Sequence, residues 1–600
     1  MASIGAALHD IVRDAPLGQF MRFLTKNRVF HFPEEQPDFN LPELWVRVMS
    51  NTDVLEYGNT HPASSAASAA TSAVEGKEQH VPEQDGTKQQ CQPQRQSEIN
   101  STMLADLENY EAPKKVNSIP VVPKCTRDGF ILVDWYDTND PANPHNWSNS
   151  RRGLFATLIW LYTFVVYSTS SIYTSSEQGV MEKFGVSKLK ATLGLAIYVL
   201  GYGVGPLIFS PLSEIPRIGR SLVYIITMFL FVVLSIPTAV VSNFPGLMVL
   251  RLLQGFFGSP CLASGGASMQ DMYSMISLPF AMIAWVSAAF CGPAIGPLFG
   301  EFAVPVEGWR WPLYESIWAS SPVLVAMFLF LPETSTPNIL LRRAERLRKL
   351  TGDQRFMSQS EIDQRHMTVS AVTIDALIKP IEISVKDPAV LFVQIYSAIT
   401  YGIYYSYFEV FPLVYPVFYD MNLGETGLVF LCIFVGCIIA IAAYGSLLYF
   451  VVTPQIKKFS MGPQEQVLLP ALAASFGPPI GLFLFAWTAR TSIHWIVPTI
   501  GISIYACTVF IVFQCMFLYI PLSYPQYAAS LFAANDFFRS AFACGSVLFA
   551  NSLYSDLGVS KGTSLLGGLS VLGIIGMWLL FYFGAKLRAL SRFALYNEER

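Results

Sequence analysis

Charged residues are scarce in this chain, and their scarcity excludes several classes of protein. Only 14% of the 600 residues are Asp, Glu, Lys or Arg, whereas 52% are hydrophobic. Soluble domains carry about 25% charged residues, so the chain is too apolar to be a series of soluble domains. Its formal net charge of -4 gives no basic field for a phosphate backbone, which excludes nucleic acid as a partner.

Signatures of metals, cofactors and ATP are also missing. The nine cysteines form no CxxC pair, and most of them lie in apolar runs, where a thiol packs as a small hydrophobe. Cys432 and Cys437 are close in sequence, but no histidine or carboxylate accompanies them. Neither GxxxxGKS nor GxxxxGKT occurs, which argues against an ATP-driven pump. We therefore expect no metal and no cofactor.

Long apolar runs, in contrast, are abundant from Gly153 onward. Each is about 20 residues long, the length that a helix needs to cross about 30 Å of hydrocarbon. The runs predict an all-α membrane protein with twelve transmembrane helices in two six-helix halves. The predicted bounds are 153–174, 189–210, 222–242, 246–269, 280–303, 311–331, 388–414, 425–450, 467–488, 493–519, 526–551 and 564–585.

Basic residues concentrate on one side of the predicted helices. Arg217, Arg220, Lys457, Lys458 and the segment 342–349 all lie in loops that face the same side. The positive-inside rule makes this side, and both termini, cytoplasmic. The predicted units are a mostly disordered cytoplasmic tail (1–150), a six-helix bundle (151–332), a cytoplasmic linker with an amphipathic helix (333–387), a second six-helix bundle (388–586) and a cytoplasmic C-terminal tail (587–600).

Two cytoplasmic segments leave alternatives open. Residues 62–96 are rich in Ser, Ala, Gln, Glu and Pro and bury too little apolar surface to offset the chain entropy lost on folding. Residues 20–24 form either a partly ordered cytoplasmic element or a helix on the inner leaflet. Residues 339–349 have the spacing of a basic amphipathic helix. That helix either lies on the leaflet or is a solvated linker, and calmodulin binding is a third reading.

The loop after the second predicted helix has a composition suited to gating. Residues 211–220 read Pro-Leu-Ser-Glu-Ile-Pro-Arg-Ile-Gly-Arg. A carboxylate there can cap a neighbouring helix N-terminus, and arginines can bind it or lipid phosphates. The alternative is an ordinary inside loop. The candidate gating residues of this face are Gly205, Glu214, Arg217, Gly219, Arg220 and, after helix four, Asp271.

Helix four carries an arginine within its apolar run, Arg251. Inserting an arginine at the centre of a membrane helix costs about 2.5–3.5 kcal/mol of free energy, so its side chain must face a cavity or a partner. The alternative is that the side chain extends to the interface, because the loop at 243–245 is near. Helix five contains the glycines Gly292 and Gly296, and their spacing permits close helix contact. The adjoining prolines, Pro293 and Pro297, permit kinking, which predicts a hinge-like seam or simple small-residue packing.

The second half contains two further charged groups. Glu409 lies among aromatic residues, a setting that suits a proton carrier or a site for cationic drugs. Its alternative is an aromatic belt near the outer interface. Asp536 and Arg539 are spaced i,i+3 and can pair, which serves either coupling or plain neutralisation. The candidate cavity residues are Tyr198, Tyr202, Gln254, Phe290, Tyr401, Tyr405, Gln514 and Asn535.

These motifs resemble those of a known family. The 211–220 loop, the 250–255 segment around Arg251 and the 292–300 segment resemble the signature motifs of the major facilitator superfamily. Further segments resemble its fungal twelve-spanner drug:proton antiporters, in the benomyl, fluconazole and caffeine resistance branch. They are Asp140–Trp147, Ser259–Pro260, Gly265–Ser268, Asp271–Tyr273, Gly308–Trp311, Leu331–Thr334 and Arg342–Ala344. One departure is that residues 274–278 lack the basic residue common after Asp271, so Asp271 must find another cation or leave this contact weaker.

The resemblance implies a major facilitator fold and a proton-coupled antiporter that exports diverse small molecules by alternating access. It associates Arg251 with proton coupling, and the residues themselves make Glu409 and Asp536 the candidate carboxylates. The expected partners are small-molecule substrates, protons and the lipid bilayer, and we expect a monomer in the plasma membrane. A uniporter or importer on the same fold is the main alternative. A membrane enzyme is the second alternative, although the histidine at 494 stands alone.

Overall fold

Helical segments of membrane length follow the twelve apolar runs of the sequence. The computed structural model describes residues 9–50, 118–126, 128–364, 378, 381–459, 462–524 and 527–591. The first half contains α1 (Pro16–Leu24), α2 (Glu43–Ser50), β1 (Ile131–Leu132), α3 (Asn149–Ser171), α4 (Glu177–Phe184), α5 (Lys188–Glu214), α6 (Arg220–Val240), α7 (Phe244–Gly258), α8 (Pro260–Met272), α9 (Leu278–Glu307) and α10 (Trp311–Phe330).

The linker and the second half contain the remaining elements. They are α11 (Thr336–Thr351), β2 (Phe356–Met357), α12 (Gln359–Gln364), α13 (Pro388–Tyr419), α14 (Leu423–Val429), α15 (Leu431–Leu447), α16 (Thr453–Phe459), α17 (Leu469–Ala474), α18 (Gly477–Thr488), α19 (Ile496–Ser523), α20 (Ala528–Leu557) and α21 (Val559–Leu590). Short 3-10 turns cover Pro33–Glu35, Pro144–Asn146, Ile172–Ser176 and Gln464–Leu468, and a π turn covers Leu448–Val452.

Some spans are built from more than one helix. Pro260 starts α8 directly after α7, and because proline has no N–H it interrupts the fourth span. The eighth span runs through α14, α15, the π turn and α16, and α17 and α18 share the ninth. The membrane face at which α3 begins and α5 ends is called the tail face, and the opposite one the far face.

Ten of the spans are long and apolar enough by themselves to cross a membrane, so the chain is a multi-pass membrane protein, as predicted. The other two, α13 and α20, are more polar. They pack along each other, and α20 also packs along α5. Asn535, Asp536 and Arg539 of α20 are buried there, so these two helices direct polar groups toward protein rather than lipid.

The cytoplasmic segments predicted to be a mostly disordered tail are in part folded. Residues 9–50 and 118–148 pack against α11 and the β1–β2 pair. We call this unit, with 336–364, the clasp. Its small apolar core consists of Trp45, Ile131, Val133, Ala344, Leu347 and Phe356. The disorder prediction is therefore wrong for these residues, because they bury their side chains on the linker rather than on each other. Residues 62–96 lie outside the described part of the chain.

Buried ion pairs hold the clasp together. The Arg343 guanidinium donates to both carboxylate oxygens of Asp140, at 2.6 and 3.1 Å. Glu34 accepts from Arg346 at 3.0 Å, and Asp14 accepts from Arg151 of α3 at 2.9 Å, a partly buried pair that ties the clasp to the first span. The apolar side of α11 packs into the clasp core, so neither the leaflet-bound nor the solvated reading of residues 339–349 describes it.

The amphipathic segment 20–24 is part of α1, which packs on α6 and α10. Arg22 points inward and donates to Glu35 at 2.7 Å. Phe20, Phe23 and Leu24 are exposed, which is the reverse of an ordinary soluble helix. The ordered reading of this segment is therefore correct, and its exposed apolar side fits the leaflet reading as well.

Acid is expected to loosen the clasp. Burial alone would raise the pKa of Asp140, but the hydrogen bonds and charge of Arg343 outweigh burial and lower this pKa. Such a carboxyl stabilises the folded state above its unfolded-state pKa of about 4, and the stabilisation is lost as the pH falls through the folded-state pKa. Amide exchange in α2, corrected for its intrinsic pH dependence, should therefore accelerate below about pH 4. In Asp140→Asn it should already be faster at neutral pH, and equal exchange in both proteins would contradict the assignment.

Candidate functional site

A network of tyrosine hydroxyls joins the two halves at the centre of the bundle. The Tyr202 hydroxyl of α5 lies 2.8 Å from that of Tyr401 and donates to Tyr405 at 3.0 Å; both partners belong to α13. The Tyr405 hydroxyl also lies 3.1 Å from Ser170 Oγ of α3. All four side chains are buried. We call Ser170, Tyr202, Tyr401 and Tyr405 the tyrosine network.

An ion pair of α20 borders the tyrosine network. Arg539 donates to the Asp536 carboxylate and, at 2.9 Å, to the Tyr167 hydroxyl of α3. Its guanidinium also lies 4.6 Å from the centre of the Tyr401 ring. Arg539 belongs to the second half and also binds Tyr167 of the first half. If Arg539 only neutralised Asp536, it would not need this second contact.

Arg251 is completely buried, with 0% of its surface exposed. Its guanidinium donates to the carbonyl oxygens of Gly194, Thr169 and Ser170 at 3.1, 3.2 and 3.3 Å. It also lies over the rings of Tyr198 and Tyr173, 4.2 and 4.8 Å from their centres. The interface alternative for Arg251 is therefore wrong, because carbonyl dipoles and aromatic faces stabilise this charge inside the first half.

The Arg251 site touches the tyrosine network through one residue. Ser170 presents its carbonyl to Arg251 and its hydroxyl to Tyr405. The charge of the first half is thus one residue away from α13 of the second half. A shift of α13 against α3 would therefore change the hydrogen bonds of Arg251 and those of the tyrosine network.

The other predicted cavity residues separate into two groups. Tyr198 and Gln254 support Arg251: Tyr198 donates to the Val166 carbonyl at 2.8 Å, and Gln254 accepts from Arg251 at 3.2 Å. Phe290 and Gln514 lie where the halves meet. The Tyr404 hydroxyl donates to the Phe290 carbonyl at 3.0 Å, Gln514 donates to the Met282 carbonyl at 3.3 Å, and Asn535 donates to Gln394 at 2.6 Å within the second half.

Glu409 is also buried, with 1% of its surface exposed, so protein encloses its carboxyl; its place toward one end of the bundle agrees with the interface alternative. Its carboxylate lies 3.5 Å from Lys188 Nζ of α5. Close by, Glu177 accepts a hydrogen bond from Thr192 at 3.2 Å. This group lies toward the far face, because Lys188 is the first residue of α5.

At the tail face the predicted gating residues take different roles. Arg220 donates to Asp271 at 2.6 Å, so Arg220 is the cation that the sequence left open. Glu214 and Arg217 are exposed. The N-terminus of α6 is capped instead by Glu333, which accepts from the backbone N–H groups of Arg220 and Ser221 at 3.0 and 3.2 Å.

Gly205 and Gly219 lie where a neighbouring group comes close to the backbone of the gating loop and its helix. Gly219 has a φ of +76° beside Glu333, a backbone conformation that favours glycine. A Cβ on Gly205 would lie 2.5 Å from the Phe256 carbonyl of α7. At both positions the absence of a side chain allows the glycine backbone to contact its neighbour directly.

The glycines of α9 pack closely against α3, a contact that fits both the hinge-like seam and simple small-residue packing. A Cβ on Gly292 would lie 2.9 Å from the Phe164 carbonyl oxygen, and one on Gly296 would lie 2.7 Å from that of Ser168. Pro293 and Pro297 lie within the same helix. Only hydrogen atoms on these glycines allow the two backbones to approach so closely.

The sequence did not indicate several of these residues. Glu177, Lys188 and Thr192 lie in or beside a predicted outer loop, and only the folded chain brings them to Glu409. Tyr167 and Ser170 belong to an apolar run with no motif. A carboxylate directly after the first span was the one signal that could have pointed to Glu177.

Known proteins resemble this chain over most of its length. A family model described as Major Facilitator Superfamily matches residues 159–547. The Cycloheximide resistance protein of Candida maltosa is 35% identical over 594 residues, covering 97% of this chain and 99% of that protein. Fluconazole resistance protein 1 of Saccharomyces cerevisiae is 38% identical over 472 residues, covering 78% of this chain and 85% of that protein. These matches confirm the predicted resemblance.

A solved structure is similar in fold. The proton:xylose symporter XylE covers 72% of this chain and 97% of its own chain, with a TM-score of 0.51 and 12% sequence identity. At that identity the likeness concerns the fold alone, and it confirms the predicted two-half architecture.

Proposed function

Because the chain belongs to the major facilitator superfamily, we propose that it exports structurally diverse drug-like molecules in exchange for protons, by alternating access of its two halves. The observation that carries the proposal is the buried tyrosine network, whose hydrogen bonds run from one half to the other. Hydrogen bonds of that kind must break when the halves rock apart. Transport, rather than covalent chemistry, is the activity that such a seam supports.

The chemistry of the seam supports amphipathic cargo. Tyr202, Tyr401 and Tyr405 offer ring faces together with hydroxyls that donate or accept. Phe290 and Tyr404 add apolar surface, with ring centres 5.7 Å apart. The two relatives are named for cycloheximide and fluconazole, and a site built on rings and hydroxyls can accept such different molecules without a fixed set of ion pairs.

Proton exchange is proposed from the buried charges. Arg251 supplies a fixed positive charge, while Glu409 and Asp536 are carboxyls that face Lys188 and Arg539 across short distances. A proton moving down the membrane potential supplies about 2.3 kcal/mol per 100 mV. This energy suffices to drive export without ATP. His494, on which an enzyme reading would depend, is exposed at the far face.

The membrane arrangement is part of the proposal. We place the tail face in the cytoplasm of a plasma membrane, with both termini inside and the chain acting as a monomer. The exposed residues Phe20, Phe23 and Leu24 of α1 then rest in the inner leaflet. Lys26 and Arg28, which are exposed next to them, favour anionic headgroups.

Drug accumulation tests the export proposal directly. Cells that lack other exporters should retain less labelled fluconazole or cycloheximide when they express the chain. Tyr202→Phe removes a hydroxyl that can bond the cargo, and loss of a cargo hydrogen bond of about 1 kcal/mol during transport should lower the export rate about fivefold. Tyr449→Phe is the matched control, because Tyr449 is exposed on the π turn. Equal retention with and without the chain would overturn the proposal.

A further inference from the structure

Four polar side chains from both halves meet near the far face. Lys188 Nζ lies 3.5 Å from Glu409 Oε2, and Thr192 Oγ1 donates to Glu177 Oε2 at 3.2 Å. The two carboxyls also act on each other electrostatically. Glu177, Lys188 and Thr192 belong to the first half and Glu409 to the second. We call these four residues the carboxyl cluster.

The carboxyl cluster is poorly supplied with hydrogen bonds. Glu177 is 8% exposed, and within the described part of the chain neither its Oε1 nor the Oε2 of Glu409 has a hydrogen-bond partner. Lys188 and Thr192, which both act on Glu177, also act on Glu409 from the first half. Tyr173 faces Glu177 from the 3-10 turn, and Arg251 lies beyond the Tyr173 ring, 4.8 Å from its centre.

The charges of the cluster do not balance when both carboxyls are ionised. Two carboxylates and one ammonium leave a net charge of minus one, and this is costly because both carboxyls are buried while the Lys188 side chain is 36% exposed. Two carboxyls that share a site resist simultaneous ionisation and take up a proton as a pair. One shared proton makes the cluster neutral and leaves Lys188 to attract Glu409.

From this geometry we propose that Glu177 and Glu409 hold one proton between them, and that this proton latches the halves together at the far face. The inference rests on the proposed function and adds to it which face of the protein opens when the proton leaves. With the proton bound, Lys188 attracts Glu409 across the seam. When the proton leaves to water, two carboxylates face each other from opposite halves and their repulsion favours opening. A proton from the far side re-forms one O–H bond and closes the seam.

A distance measurement between the halves tests the latch. Keto side chains introduced at Glu182 and Asp420, which are exposed at the far face on opposite halves, carry nitroxide labels and leave the nine cysteines unlabelled. In the purified full chain the inter-label distance should lengthen as the pH rises. One linked proton changes the ratio of open to closed molecules by up to about tenfold per pH unit.

Glu177→Gln should hold the short distance at every pH, because Lys188 and Glu409 then balance without a proton. Glu409→Gln should also abolish the pH response, since the repulsion is gone. Glu307→Gln is the matched control, because it removes an exposed carboxylate of the same face and should leave the response unchanged. A wild-type pH response in Glu177→Gln would overturn the latch. Failure of the export proposal is seen separately, in the drug accumulation of cells that express the unlabelled chain.

Discussion

Arg251→Ala should abolish drug export at matched surface expression. The guanidinium holds the carbonyls of Thr169 and Ser170 at the end of α3 and that of Gly194 in α5. Hydrogen bonds from a charged donor contribute about 1.5–3 kcal/mol each. Loss of one or two of them in the transporting conformations corresponds to roughly a 100-fold lower rate.

Arg251→Lys separates the charge from its geometry. The ammonium keeps the positive charge but donates from a single nitrogen, so it cannot reach Gly194, Thr169 and Ser170 together. We expect export between the wild-type and alanine values. The initial rate of fluconazole efflux from loaded cells measures it, with surface protein quantified by labelling. Wild-type efflux by Arg251→Ala would show that this buried charge has no part in transport.

Gly296→Ala should destabilise the protein strongly. Its new Cβ would lie 2.2 Å from Ser171 Oγ and 2.7 Å from the Ser168 carbonyl oxygen. The second contact is with backbone, so α3 and α9 would have to move apart. Overpacking of this kind costs about 1–3 kcal/mol. The melting temperature in detergent should therefore fall, and export with it.

Gly568→Ala is the control for that substitution. Gly568 lies within α21, and a Cβ there would meet nothing within 4 Å. Alanine favours a helix over glycine by about 1 kcal/mol, so the melting temperature should stay the same or rise. Opposite signs for two identical substitutions would show that the α3–α9 seam, and not helix propensity, decides the result. A fall of equal size in both would contradict this.

Apolar length and the positions of short motifs predicted the fold well. The twelve predicted spans all correspond to helices, because the hydrocarbon thickness imposes one length on each. The spans of α13 and α20 were predicted from apolar runs like the others, although these two helices are more polar than the other ten. Most helices extend beyond the predicted bounds at one end or both, since they continue past the apolar run into the interface.

Contacts between distant segments were less predictable. The motifs drew attention to Arg251 and the α9 glycines, but periodicity did not reveal that Tyr198 and Gln254 contact Arg251 while Tyr202 contacts α13. Likewise, Glu214 occupied the motif position, yet Glu333 caps α6. The clasp was missed because its core is shared among three segments, none of which is apolar enough alone.

Simultaneous measurement of drug and proton fluxes tests the account most directly. Purified protein in sealed liposomes, with an internal dye reporting pH and labelled fluconazole reporting cargo, is exposed to an imposed pH gradient. We expect fluconazole to accumulate against its own gradient and the pH gradient to collapse faster when the drug is present. A drug flux that ignores the gradient, with a proton flux that ignores the drug, would establish a uniporter and contradict proton exchange through this seam.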